Sequence, residues 1–321
     1  MAYGESTPPG VAMKAMKKQG RIASAAAASD EAVQRAMAVM QNGRADEAER
    51  TLRELLAKGP RRPATLHALG LALLAQRRAG EAVAPLEEAA RRQSEQGRPD
   101  PVIETNVAVA LDQSGRTADA VPWLERAITR QPPFEHAFRE LGALLFSLRR
   151  LDEAEAVLKQ GLEVAPNLAE LWVVLGGIHL DRADRDNAKL AFARALVTAP
   201  DHAGALYGMG NVLMAEGDYA RAEQRFRQAL AREPADYQTC LSLGACLLEL
   251  RRWDEGLASL RAAVELAPRS YPMALKVAST SGRGRFWLKP SSAAGVLQAP
   301  RVPAAWASNA WAPNASWALR A

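Results

Sequence analysis

The stretch that decides the fold runs from residue 169 to residue 200 and reads AELWVVLGGIHLDRADRDNAKLAFARALVTAP. Apolar residues at three- and four-residue spacings fill its first half, as on one face of an α-helix, and Gly176 stands among them. Ala188 and Phe192 lie one turn apart in the second half. Pro200 ends the pattern because proline lacks an N–H and disfavours helix before it. The stretch predicts two helices joined by a short turn.

The same pattern recurs seven times along the 321 residues, so an internal repeat organises the chain. A small residue followed four positions later by a large apolar one gives the anchor pairs Ala48/Leu52, Ala82/Leu86, Ala120/Leu124, Ala154/Leu158, Ala188/Phe192, Ala222/Phe226 and Gly256/Leu260. Successive anchors are 34 residues apart, except for 38 between the second and the third. Twelve residues after each anchor stands a proline, except in the second repeat, which has Ser94.

A fixed position numbering, with the anchor at position 20, makes the physics of the repeat visible. Position 8 is always small (Ala36, Gly70, Ala108, Gly142, Gly176, Gly210 and Gly244), which lets the first helix approach the second closely. Glycine at position 15 of three repeats (Gly43, Gly115 and Gly217) predicts the turn. One hairpin cannot bury its apolar face alone, so stacked hairpins are expected. The four additional residues fall in 91–101, as a longer helix or a longer loop.

The best copy, Trp172-x-x-Leu175-Gly176-x-x-His179 followed by Ala188 with Phe192 and by Pro200, resembles the tetratricopeptide repeat family. It departs from the family pattern at His179, where tyrosine is usual. The resemblance covers residues 29–270. It implies an all-α fold: a right-handed superhelical solenoid of stacked antiparallel helical hairpins.

The two ends differ from the repeats in composition and charge. Residues 1–28 are predicted to be a disordered, basic, alanine-rich leader, 271–298 a capping element, and 299–321 a flexible tail with Trp306, Trp311 and Trp317. The net charge of +5 is uneven: residues 269–321 hold seven basic groups and no acidic one, whereas 31–268 sum to −4. The basic character therefore belongs to the ends.

The sequence contains no constellation typical of an active site, a metal site or a cofactor site. The four histidines fall in different repeats without i, i+4 spacing, and no phosphate-loop, nucleophile-elbow or zinc-protease motif is present. The acidic residues Asp181, Asp184 and Asp186 lack the glycine and distal glutamate of a calcium loop. We therefore predict no enzyme, no cofactor and no small-molecule substrate.

The cysteines and the targeting signals bear on localisation. Cys240 and Cys246 stand six apart on one predicted helix, so they cannot pair with each other, and two buried thiols suit a reducing compartment. No secretory signal and no apolar run of 18 residues is present. The interpretation is a cytoplasmic protein, and the Ala/Arg-rich composition suggests a bacterium.

In the tetratricopeptide family the first helices line the concave face, and positions 2, 5, 9, 12 and 13 face the groove. Carried over, the resemblance implies a partner groove formed by Met37, Met40, His67, Leu71, Leu74, Thr105, Asp112, Arg139, Phe146, Val173, Leu180, Tyr207, Asn211, Met214, Leu241 and Glu249. Position 5 has no lysine and position 9 has one asparagine, which argues against a carboxylate clamp. A helix or extended peptide with apolar anchors is the expected ligand.

The expected function is therefore a non-enzymatic scaffold or adaptor that binds a protein or peptide partner. The alternative is a peripheral protein that uses its basic termini, above all the C-terminal tail, for weak contact with an anionic membrane or a nucleic acid.

Overall fold

The structure, a computed structural model, describes residues 28–270 together with Pro272 and Ala274. The predicted leader up to residue 27, the remainder of the predicted cap and the whole tail 299–321 lie outside the described residues. The described residues fall into two compact units, 28–132 and the residues from 133 onward. Each unit is described by itself.

The first unit consists of three helical hairpins. Its helices are α1 over 28–41, α2 Ala45–Lys58, α3 Pro63–Ala75, α4 Ala79–Glu95, α5 Pro101–Gln113 and α6 Thr117–Ile128. From α2 to α6 each helix contacts the next one, and α3 also contacts α5.

The second unit consists of four hairpins. Its helices are α7 Glu135–Ser147, α8 Leu151–Val164, α9 Ala169–Asp181, α10 Arg185–Thr198, α11 Ala203–Glu216, α12 Tyr219–Arg232, α13 Tyr237–Glu249 and α14 Trp253–Leu266, followed by the 3-10 turn Pro268–Ser270. Each helix contacts the next, and α7, α9, α11 and α13 contact one another in order. We call the odd-numbered helices A helices and the even-numbered ones B helices. No β-strand occurs among the described residues, so the predicted all-α architecture of stacked hairpins is confirmed.

The close approach of the two helices of a hairpin explains the small residue at position 8. A Cβ built on Gly176 would lie 2.8 Å from the ring of Phe192, at position 24 of the same hairpin. The same geometry recurs in the pairs Gly70/Leu86, Gly142/Leu158, Gly210/Phe226 and Gly244/Leu260, at 2.3 to 2.7 Å. Real Cβ atoms do not approach a neighbour so closely, so the large residue of the anchor pair sits directly on the glycine backbone.

The turn inside every described hairpin contains one residue in the left-handed region. The residue is glycine in three hairpins, as predicted, and otherwise Arg77, Arg149, Ala183 or Arg251, with φ between 59° and 64°. The N–H of the following residue bonds the carbonyl five residues earlier, for example Asp184 N to His179 O at 2.9 Å. This hydrogen bond, from the sixth residue of the turn to the first (6→1), satisfies a carbonyl group that would otherwise lack a partner at the helix end.

Polar side chains at position 21 of a B helix pair with the next hairpin. Lys189 on α10 lies 2.9 Å from Glu216 at the end of α11. One hairpin earlier the signs are reversed, because Glu155 on α8 pairs with Arg182 after α9. The two links are complementary only in the native order, so they favour one register of neighbouring hairpins.

The four additional residues of the second repeat mostly lengthen a helix. Helix α4 has 17 residues, against 14 for α2, and Gly97 follows in the left-handed region. The longer helix is therefore the correct alternative.

The last hairpin is followed by the only described residues of the predicted cap. Pro272 and Ala274 are helical, and Ala274 is fully buried against Leu248, Leu257 and Leu260. The aromatic residues predicted to complete the cap lie outside the described residues.

Candidate functional site

The predicted groove residues divide into buried and accessible ones. Six are buried: Met40, Leu71, Thr105, Arg139, Phe146 and Val173. Nine are half-buried: Met37, His67, Leu74, Asp112, Leu180, Tyr207, Asn211, Met214 and Leu241. Glu249 is exposed. Burial at position 5 has visible causes: Val173 belongs to the apolar core of its unit, and the Thr105 hydroxyl donates to Pro101 O of its own helix at 2.7 Å.

In the first unit, the polar members of the set bond within the fold. His67 Nε2 lies 2.8 Å from Asn106 Nδ2 on the neighbouring A helix. Burial lowers the pKa of His67 to about 4, although Asp100 opposes the shift. The neutral imidazole therefore accepts the amide proton at physiological pH. Asp112 accepts from the Thr117 hydroxyl at 2.8 Å, and burial raises its pKa.

In the second unit, the accessible members lie on α9, α11 and α13. We call this set the A-helix face: Leu180, Tyr207, Asn211, Met214, Leu241 and Glu249. On α11 the spacings i, i+4 and i+7 place Tyr207, Asn211 and Met214 on one side of the helix. Leu180, Tyr207 and Met214 are partly buried against the core of the unit. The A-helix face is thus apolar for the most part and anchored by its own packing.

A polar group stands in the middle of this apolar face. Tyr207 shares hydrogen bonds with Asn211 and Ser242, and burial raises the pKa of its phenol, which therefore stays protonated. The Asn211 amide is buried beside this phenol, so the two polar groups belong to the interior packing of α11 and not to its ligand-accessible surface.

The residue at position 9 of α9 is a glycine, Gly177. Gly177 is the neighbour of Gly176, but a Cβ built on it would meet only Phe146 Cε1, at 3.8 Å. The helix packing therefore requires Gly176 and does not require Gly177. Ala143 and Ala245 occupy position 9 of α7 and α13, so this position is small in three of the four A helices of the second unit.

Two histidines lie at the starts of A helices, His136 in α7 and His202 at the cap of α11. Burial lowers the pKa of both His136 and His202, with the charge of Arg139 acting in the same direction and that of Glu170 opposing it. His202 Nδ1 accepts from Ala205 N at 3.3 Å, which caps α11. Within 28–270, no group of three or more His, Cys, Asp or Glu side chains is placed to hold a metal ion.

The remaining candidates from the sequence have structural roles. Asp184 accepts from Asn187 N at 3.2 Å and caps α10, while Asp181 pairs with Arg149 at 2.8 Å. Cys240 and Cys246 are free and buried, and burial raises the pKa of Cys246 to about 11. A thiol with such a pKa stays protonated and is a poor nucleophile.

One cavity was missed by sequence reasoning. It lies in the first unit between residues 60–64 and the end of α4, has a volume of about 400 Å³ and is lined by three arginines. The signal was present in Pro60-Arg61-Arg62-Pro63, where the first repeat meets the second, and in the four-residue offset of the second repeat. Only the fold brings these two features together.

None of the helices within the described residues has both the length and the apolar character needed to cross a membrane. The basic groups on which the membrane or nucleic-acid alternative rests lie, except for Arg269, outside the described residues.

Comparison with known proteins agrees with this geometry. Two family profiles, both described as tetratricopeptide repeat, match residues 33–98 with 207–271 and residues 113–175. These segments cover more than half of the chain, and the chain belongs to the tetratricopeptide repeat family. Members of this family generally act as non-enzymatic scaffolds for protein–protein interaction. No curated protein matches the sequence.

Solved structures show the same fold. The crystal structure of the APC/C hetero-tetramer Cut9-Hcn1 matches with a TM-score of 0.65 and 16% identity, over 76% of this chain and 47% of that chain. A tetratricopeptide repeat protein from Parabacteroides merdae ATCC 43184 matches with a TM-score of 0.63 and 17% identity, over 79% of this chain and 99% of that chain. The chain spans less than half of the first of these proteins. At such identities the likeness shows the fold alone.

Proposed function

We propose that the protein is an adaptor that binds a segment of a partner protein along the A-helix face of its second unit. The observation that carries this proposal is the set of half-buried apolar side chains on the A-helix face: Leu180, Tyr207, Met214 and Leu241. Apolar side chains of a ligand would pack against them.

The chemistry of the face favours a segment with apolar anchors. Methionine has a flexible and polarizable side chain that adapts to different ligands. The bound segment is a helix or an extended peptide. A reducing cytoplasm, as in a bacterium, suits the two buried free thiols.

The test compares one substitution on two sides of the second unit. Peptides are selected from a random library on the full chain, and the Kd of the best one is measured by isothermal titration calorimetry. Leu180→Glu places a charge on the A-helix face, and we expect it to weaken binding by roughly tenfold or more. Leu190→Glu places the same charge on α10, where the leucine is already 55% exposed, and we expect an unchanged Kd.

Melting curves followed by circular dichroism establish that both variants are folded. Met214→Glu is a second variant of the A-helix face, in case Leu180→Glu alters packing. Equal Kd values for the chain and both A-face variants would refute the proposal. Weakening by Leu190→Glu alone would move the binding site to the B helices.

A further inference from the structure

The arginine-lined cavity of the first unit lies between the end of the first repeat and the lengthened helix of the second. Arg61 and Arg62 come from the connection before α3, and Arg92 and Gln93 come from the end of α4. Gln96, just after α4, completes the polar lining. The carboxylates of Asp30 and Glu88 pair with the arginines from outside this lining.

Hydrogen bonds to Glu88 fix the guanidinium groups of Arg61 and Arg92 but do not use all of their N–H donors. Arg61 donates to Glu88 through Nε at 2.9 Å and through Nη2 at 2.5 Å, and Arg92 donates to the same carboxylate through Nε at 2.8 Å. Each guanidinium has five N–H groups, so one carboxylate cannot use those of two arginines. Arg61 and then Arg92 hold the pKa of Glu88 at about 2, so this carboxylate stays ionised at physiological pH. The third arginine, Arg62, pairs with Asp30 at 2.6 Å. Three guanidinium groups thus face two carboxylates, which leaves one positive charge in excess.

The backbone around the cavity also favours a negatively charged ligand. Pro63 is the first residue of α3, the first turn of the helix contains no acidic residue, and Arg62 gives no side-chain cap. The N–H groups at this helix start therefore present partial positive charge. Pro60 and Pro63 fix φ on either side of the two arginines, which restricts the connection that carries them.

The lengthened end of α4 supplies a wall that the other repeats lack. Helix α4 continues through Gln93 to Glu95. In the regular repeats of the second unit, a proline at position 32, such as Pro166, follows the end of the helix instead. The cavity and the departure from the 34-residue period thus have one origin.

We propose that this cavity binds a phosphorylated side chain of a partner polypeptide. Arginine clusters suit phosphoryl groups because the planar guanidinium donates in pairs to the phosphate oxygens. The volume of about 400 Å³ exceeds the need of a single small ion, given that a water occupies about 30 Å³ in the liquid. Pro60, Pro63 and Ala64 add carbon surface for the residues next to the phosphoryl group. The site is separate from the A-helix face, so either proposal can fail alone.

Calorimetry on the full chain tests the site with a short glycine–serine peptide that carries one phosphoserine. The unphosphorylated peptide and inorganic phosphate serve as comparison ligands. We expect saturable binding of the phosphopeptide only, weakened roughly tenfold in Arg61→Gln, which removes charge-assisted donors. Gln93→Glu places a carboxylate in the cavity without removing an ion pair, and we expect a similar loss.

The matched control is Gln160→Glu on the exposed surface of α8, which changes the net charge equally and should leave the Kd unchanged. No saturable binding of the phosphopeptide would overturn the proposal. Binding that both cavity variants retain would overturn it too, because the anion would then sit elsewhere, for example on the basic termini. Binding of inorganic phosphate without the phosphopeptide would show a free-ion site and equally contradict it.

Discussion

Replacing each of two adjacent glycines by alanine should change the stability of the second unit in opposite directions. Gly176 and Gly177 lie in the middle of α9, where alanine favours helix over glycine by about 1 kcal/mol. At Gly177 the new methyl group meets only Phe146, at an ordinary contact distance of 3.8 Å. We therefore expect Gly177→Ala to raise the free energy of unfolding by about 1 kcal/mol.

At Gly176 the new methyl group would lie 2.8 to 2.9 Å from three ring atoms of Phe192. That ring is 1% exposed. It also packs against Gly208 of the next hairpin, where a Cβ would lie only 2.2 Å away. The ring is held between two backbones and cannot retreat. Overpacking costs about 1–3 kcal/mol, and a ring that cannot move places this site at about 2–3 kcal/mol, which outweighs the gain of about 1 kcal/mol in helix propensity. We expect Gly176→Ala to lower the free energy of unfolding by about 1–2 kcal/mol.

Urea unfolding followed by far-UV circular dichroism measures both variants under the same conditions. The unfolding slope must stay unchanged for the comparison to hold, because repeat arrays can unfold in stages. The expected gap between the two variants is about 2–3 kcal/mol. Equal stabilities, or a more stable Gly176→Ala, would refute the account of position 8.

Three further predictions use the same assay. Ala183→Gly should raise the free energy of unfolding by about 0.5–1 kcal/mol, because glycine adopts the left-handed backbone at φ 61° without strain. Gly217→Ala should lower it by about 1–2 kcal/mol for the opposite reason. A change of the same sign in both variants would contradict the turn geometry. Lys189→Glu should lower the free energy of unfolding by less than about 1 kcal/mol, since the ion pair is partly exposed. Adding Glu216→Lys should restore this loss, because the reversed charges can pair again. If the two substitutions instead have purely additive effects, the ion pair does not contribute to stability. Acidification should cost about 2–3 kcal/mol between pH 7 and 4 through His67, whose pKa burial lowers from 6.5 to about 4. In this window the folded chain binds fewer protons than the unfolded chain, so the free energy of unfolding decreases as the pH is lowered. An equal decrease on acidification in His67→Gln would contradict this.

The hairpins were predictable because the repeat is self-consistent. Small residues at position 8, anchors at position 20 and a proline at position 32 each have a local physical cause, and seven copies reinforce one another. The turn was predicted only where glycine stands in it. Arg77, Arg149 and Arg251 adopt the same left-handed backbone without a glycine, because the 6→1 bond and the two packed helices impose it.

The candidate groove was predictable as a set of positions but not as a surface. Periodicity places Val173 and Tyr207 at the same position of neighbouring repeats. The structure buries Val173 completely and leaves Tyr207 accessible in part, because the packing of adjacent A helices differs from hairpin to hairpin. The repeat pattern already distinguishes Gly176, at position 8, from its neighbour Gly177, and the structure places only Gly176 under a phenylalanine ring.

The central claim is that the A helices of the second unit, and not its B helices, bind a partner segment. Hydrogen–deuterium exchange of the full chain, with and without a library-selected peptide, tests it directly. We expect slower amide exchange in α9, α11 and α13 and unchanged exchange on α10 and α12. Protection confined to α10 and α12, or to segments outside the second unit, would contradict the claim.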